Sequence, residues 1–276
     1  LSAALPGDRR ELSTQGDIMT TPALQAAVRR AYEVFGHYVA PRQPLDVCTQ
    51  CCMPEELERE MRAVPLRKLK RHHFYEYSTG AKSVDGQPAD EVKYLLPRLL
   101  ELLADGIDTH HSVELTLDRV GRCPADAFSA NERATLDSFM LACFDACLRG
   151  EFSGEGVWYD LEDPLSLLVM ADYAGLALAP LLQHWTLHPS PQSTMKFVES
   201  TYWGYWSQQE ITNAFASDRP QLQAVFKNWM LAPATKAAFT TKLLLPHFLD
   251  QVDQTPSNGC APFPVMVDAV FDHLNH

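Results

Sequence analysis

Several features that would assign a chemistry at once are missing from this sequence. No apolar run approaches the ~18 to 20 residues that a membrane-spanning helix requires; the stretch from Leu165 to Ala171 soon meets Asp172. No segment alternates apolar and polar residues between turn signals with β-branched enrichment, so no sheet is expected. Positive charge is scarce: 23 Lys and Arg stand against 35 Asp and Glu, a formal net charge of −12. A nucleic-acid binder needs a basic stripe to displace counterions, so nucleic acid is a poor partner. Anionic membrane surfaces are disfavoured on the same ground. There is no G-x-S-x-G elbow, no P-loop and no H-E-x-x-H. Gly154-Glu-Gly156 is followed by Val-Trp-Tyr, not by a helix signature, so no dinucleotide fingerprint forms. No cofactor is expected from these motifs, and no reaction is named by them.

The seven cysteines are an odd count in a long chain, and Cys143 and Cys147 share a helix face. That pattern does not read as a disulfide framework, and a reducing cytoplasm suits it better. Residues 1–18 start with Leu and are polar and turn-rich, while Met19-Thr-Thr-Pro reads as a natural start. Residues 1–18 are therefore taken as a leader or tail, and 19–276 as a single all-helical domain.

Helical periodicity is abundant. Thr21-Pro22 supplies an N-cap and a first-turn proline, and Leu24, Ala27, Val28, Ala31, Val34 and Phe35 form an apolar face behind it. Pro54 opens an acidic helix that passes into the basic run 62–71, an order that suits the helix dipole. Val92, Leu95, Leu96, Leu99 and Leu103 make the next buried face, with Pro97 inside and Gly106 as a left-handed stop. Ser129-Ala-Asn-Glu132 is a capping box. Later helices are expected after Asp163-Pro164, through Leu181 to Trp185, after Ser190-Pro191, Arg219-Pro220 and Pro233, and from Pro264. The fold class is all-α: about ten helices in an irregular bundle or a short α-solenoid-like array. The solenoid reading rests on two glycine-closed helix ends 44 residues apart, at Gly106 and Gly150.

Four places could carry chemistry. Cys48, Cys51 and Cys52 have the spacing of half a zinc site, to be completed by Cys123 or by His72 and His73; the ordinary reading is a loop of small thiols packed inward. His110-His111-x-x-Glu114 could gather a metal, but an acid at a helix start is also common capping chemistry. The aromatic run from Tyr202 to Trp206 could stack a ligand; its four rings cannot share one helical face, so at least one is expected to be partly exposed. Between Gly150 and Met195 there is no Lys or Arg but six acids: Glu151, Glu155, Asp160, Glu162, Asp163 and Asp172. This run could be a solvated loop. It could also be an interaction surface, with Trp158 and Tyr159 as anchors and Glu155, Asp160, Glu162 and Asp163 facing a basic protein.

Cys48-Thr-Gln-Cys-Cys, Pro65-Leu-Arg-Lys-Leu, Phe74-Tyr-Glu-Tyr and Tyr94-Leu-Leu-Pro-Arg-Leu-Leu-Glu-Leu together resemble a bacterial family of cytosolic proteins of uncharacterised activity. The likeness spans roughly residues 45–120. It implies a helical fold and a bacterial origin, and an association of some relatives with polymorphic toxins implies an immunity role.

The function expected from these readings is a cytoplasmic binding protein, most concretely an immunity protein. It would occlude the basic active-site cleft of a cognate toxin through Glu155, Trp158, Tyr159, Asp160, Glu162 and Asp163. Two rivals come from other classes: a zinc-dependent enzyme using the Cys48 loop or the His110/His111 pair, and a helical interaction scaffold.

Overall fold

The computed structural model describes residues 21–84, 86–152, 159–255 and 261–276. Among them lie thirteen α-helices and no strand. These are α1 (Pro22–Phe35), α2 (Glu55–Ala63), α3 (Arg71–Thr79), α4 (Ala89–Ala104), α5 (Asp118–Gly121), α6 (Ala130–Arg149) and α7 (Pro164–Tyr173). They continue as α8 (Ala179–Leu187), α9 (Pro191–Gly204), α10 (Pro220–Leu231), α11 (Pro233–Leu243), α12 (Pro246–Val252) and α13 (Phe263–Asn275). Single 3₁₀ turns occur at Leu66–Lys68, Val113–Leu115, Tyr159–Glu162 and Ala214–Ala216.

The helix count exceeds the expected ten because prolines cut periodic stretches that read as continuous. Pro65 keeps Val64 extended (ψ 135°), so the acidic helix α2 stops at Ala63 and the basic run divides between a 3₁₀ turn and α3. Pro246 likewise separates α12 from α11, since a proline cannot donate to the preceding turn yet is well suited to the first helical position. Pro97 has no such effect: α4 stays helical across it.

Local start and stop signals act as their chemistry requires. Thr21 Oγ1 accepts from Leu24 N–H at 3.2 Å. Ser129 and Glu132 close the capping box, with Ser129 N–H donating to Glu132 Oε2 at 2.7 Å and Glu132 N–H to Ser129 Oγ at 3.3 Å. Gly150 ends α6 with φ +71°, a left-handed conformation that an L side chain would resist.

Helix α1 packs on α4 and α6, and α13 packs on α9 and α11. Helix α4 is buried almost all round from Val92 to Ala104. One buried apolar cluster continues from Leu24 in α1 to Leu274 in α13. Its densest part is aromatic: the fully buried Trp185 is stacked on Trp229 at 5.5 Å and meets Phe144, Phe197 and Phe239 edge-on. Two close approaches fix how helices distant in sequence meet. A Cβ on Gly121 would lie 1.9 Å from the Tyr173 carbonyl oxygen, so α5 can touch the end of α7 only through glycine. The second is ionic. The buried Lys93 ammonium on α4 lies 3.2 Å from Glu132 of α6 and donates to the Tyr38 hydroxyl at 2.8 Å. Tyr38 in turn donates to Glu132 at 2.7 Å.

Candidate functional site

An open cleft of about 440 Å³ lies where the N-terminus of α7, the outer face of α9 and residues Thr212 and Asn213 come together. Its floor is built from capping chemistry. Asp163 is the N-cap of α7: one carboxylate oxygen accepts from Leu165 N–H at 3.1 Å and from the Ser200 hydroxyl at 2.9 Å. The other accepts from Ser166 N–H at 3.3 Å. Behind Ser166 sits Glu114, buried on the 3₁₀ turn that α7 packs against. Its carboxylate accepts from the Ser166 hydroxyl at 2.8 Å and from Asn213 Nδ2 at 2.5 Å. Both floor carboxylates are thus held by neutral donors.

The walls come from one face of α9. Phe197, Val198 and Thr201 turn into the core, which leaves Lys196, Glu199, Ser200 and Trp203 facing the cleft. Burial raises the Glu199 carboxyl above its ordinary range; nearby Lys196 offsets part of that, and Glu162 across the cleft raises it again. Lys196 lies 3.5 Å from Glu162. Glu162, Asp163, Glu199 and, one layer behind, Glu114 therefore share a single ammonium group among the described lining residues. Trp203 is 53% exposed, whereas Tyr205 is fully buried and Tyr202 and Trp206 are intermediate. The expectation that one ring of this run faces solvent holds, and that ring stands at the edge of the cleft.

Of the sequence-predicted contact residues, Glu162 and Asp163 reach this cleft. Asp163 does so as a helix cap with its oxygens engaged, not as a free carboxylate. Glu155 and Trp158 lie outside the described residues, as do the side chains of Tyr159 and Asp160. Lys196 and Glu199 were not anticipated, and Trp203 was expected only as one ring of an aromatic run. Their signal was available: positions 196, 199 and 203 recur at helical spacing on the face opposite Phe197.

Three clusters of potential metal ligands occur among the described residues. Asp145 Oδ1 lies 2.7 Å from His184 Nε2 and 3.2 Å from His188 Nε2. Ser190 N–H donates to His188 Nδ1 at 3.3 Å, which leaves the ring proton on Nε2, directed at Asp145. Arg149 also donates to Asp145, at 2.8 Å. The second cluster repeats this logic: Lys70 N–H donates to Nδ1 of the buried His73 at 3.0 Å, and Nε2 lies 3.3 Å from Glu60, with His72 alongside. In both histidine clusters one buried ring, His188 or His73, already accepts a backbone N–H at Nδ1. The third is Cys48, Cys51 and Cys52, whose sulfurs converge with Sγ–Sγ distances of 3.5 Å (48 to 51) and 3.6 Å (51 to 52).

The other expected ligands go elsewhere. The buried Cys123 thiol donates to the Arg119 carbonyl at 3.3 Å, and His72 and His73 gather at Glu60. His110 is held at its own turn, accepting from Ser112 N–H at 3.2 Å, and burial first, with His111 second, pushes it down to about 3. Glu114 spends its carboxylate on the cleft floor. No helix among the described residues is long and apolar enough to cross a membrane. Compared with known proteins, the chain matches no family model, no curated sequence and no solved structure.

Proposed function

We propose that this chain is a binding protein that receives a cationic segment of another protein in the α7/α9 cleft. Its most concrete form is an immunity protein that blocks the basic active-site cleft of a cognate bacterial toxin by steric and electrostatic occlusion, without turnover. One observation carries this reading: carboxylates outnumber cations around an open cleft with an exposed indole at its edge. A guanidinium or ammonium entering there meets Glu162 and Glu199, displaces the Lys196 contact and can lie over the Trp203 ring. The net charge of −12 adds long-range attraction that speeds encounter with a basic partner.

The test compares immobilised wild-type chain with the variant Glu162→Lys/Glu199→Lys/Trp203→Ala, both exposed to lysate of the native cell and read by mass spectrometry. A basic protein retained at low salt by the wild type alone supports the reading. Trp203→Ala by itself should then weaken that contact by about 2 kcal/mol, the scale of an interface anchor. Identical protein sets on both supports would remove this surface from consideration.

A further inference from the structure

The Cys48–Cys52 turn differs from the two histidine clusters in the state of its ligand atoms. In those clusters a backbone N–H donates to Nδ1 of His73 and of His188, which leaves the proton of each of these rings on the nitrogen facing the carboxylate. In the turn, the surrounding hydrogen bonds point the other way, from donors toward sulfur. Ala81 N–H donates to Cys52 Sγ at 3.5 Å. Amide donors aimed at sulfur favour thiolate, the form that binds metals.

Spacing supports the same conclusion. A tetrahedral zinc site with Zn–S bonds of about 2.3 Å has S···S edges of about 3.8 Å. The observed 3.5 and 3.6 Å edges are already within a few tenths of that, and all three sulfurs lie within 4.8 Å of one another.

The turn is also held rigidly from beneath. Cys48 N–H donates to the Ala81 carbonyl at 2.8 Å and Met53 N–H to the Cys48 carbonyl at 3.0 Å. Just upstream, Leu45 N–H donates to the buried Glu58 at 2.8 Å, Asp46 N–H to the buried Glu91, and the buried Arg119 to the Asp46 carbonyl at 2.9 Å. A cluster placed this way loses little conformational entropy when an ion binds.

We propose that Cys48, Cys51 and Cys52 form a zinc site, with three protein thiolates and a fourth position left for water or a ligand from outside. The ion would tie the turn across itself and fix it against the segment that follows α3. Binding exchanges the thiol protons for Zn²⁺, with no change in oxidation state.

The experiment uses the full chain, reduced and stripped of metal, titrated with Zn²⁺ against a chromogenic chelator and separately with Co²⁺. One equivalent of zinc is expected, and the cobalt adduct should show thiolate-to-metal charge-transfer absorption with the d–d bands of a tetrahedral site. Cys51→Ser and Cys52→Ser should each weaken zinc at least tenfold, whereas Glu60→Gln/His72→Gln and Asp145→Asn should leave it unchanged. Zinc that fails to bind, or that survives both cysteine substitutions and disappears with Asp145→Asn, would overturn the assignment. A wild-type cobalt adduct without charge-transfer absorption would overturn it too, and needs no variant to fold.

Discussion

Replacing Arg119 by Met tests whether the polar network under the cysteine turn is a fixed support. Arg119 is buried, with its guanidinium carbon 3.9 Å over the Tyr77 ring. It donates to the Asp46 carbonyl at 2.9 Å, to the Tyr77 carbonyl at 2.6 Å and to Gln87 Oε1. Methionine keeps most of the stem volume and removes the fork. The buried Tyr77 carbonyl and Gln87 Oε1 then lose a donor, each worth about 1–3 kcal/mol. The Asp46 carboxylate, 4.0 Å from the guanidinium, and the buried Glu91 carboxylate also lose a compensating positive charge. These losses share partners and do not add, so about 3–5 kcal/mol in total is expected. Against a typical domain stability of about 5–15 kcal/mol, the variant stays folded with a thin margin.

The sign with pH follows from Glu91. Burial raises its carboxyl, and hydrogen bonds from Tyr77 and Asp46 together with the Arg119 charge pull it back only in part. A carboxyl raised in the folded state contributes stability at low pH that is lost as pH rises through its folded value. Without Arg119 that folded value climbs further, so the cost of Arg119→Met should be larger at pH 8 than at pH 5. Urea unfolding of both proteins at the two pH values, with equal m-values, measures it. A cost below about 1 kcal/mol, or one independent of pH, would show that the network is not what holds the turn.

Two further outcomes follow from the same physics. Lys93→Met should cost about 3–5 kcal/mol because it strands the buried Glu132, and adding Glu132→Gln should restore much of the loss, since glutamine still completes the capping box with Ser129; a double-mutant cycle in urea reads the coupling, and simple additivity would refute it. Glu199→Gln should raise the thermal midpoint at pH 7, because a carboxyl whose folded value is raised costs stability when ionised; the gain should fade as pH falls below that value, while capture of a basic partner weakens.

Much of the helical layout was legible from residues a few positions apart. The Ser129/Glu132 box, the Thr21, Asp163 and Ser190 caps and the left-handed glycines at 106 and 150 all act within about one helical turn, so local spacing suffices to read them. The same locality explains an error of count: Phe248 fits the periodicity of α11, but Pro246 ends one helix and begins another. The cysteine turn was visible as a spacing, though its sulfurs were expected to pack inward, and Cys51 is exposed.

What local pattern could not supply was convergence. Asn213 reaches Glu114 across 99 residues because α7 packs on the Val113–Leu115 turn, and that packing is chosen by buried area summed over many side chains. Glu114 looked like a possible metal ligand beside His110 and instead lies under the α7/α9 cleft; Asp163, legible as a cap, also accepts from Ser200 of α9, 37 residues away. The sequence by itself determined the helical class, the excess of negative charge and most helix starts, since these depend on composition and near neighbours. Only the tertiary structure decided which carboxylates meet around one cleft and which indole stands beside it, because a side chain's chemistry there depends on neighbours distant along the chain.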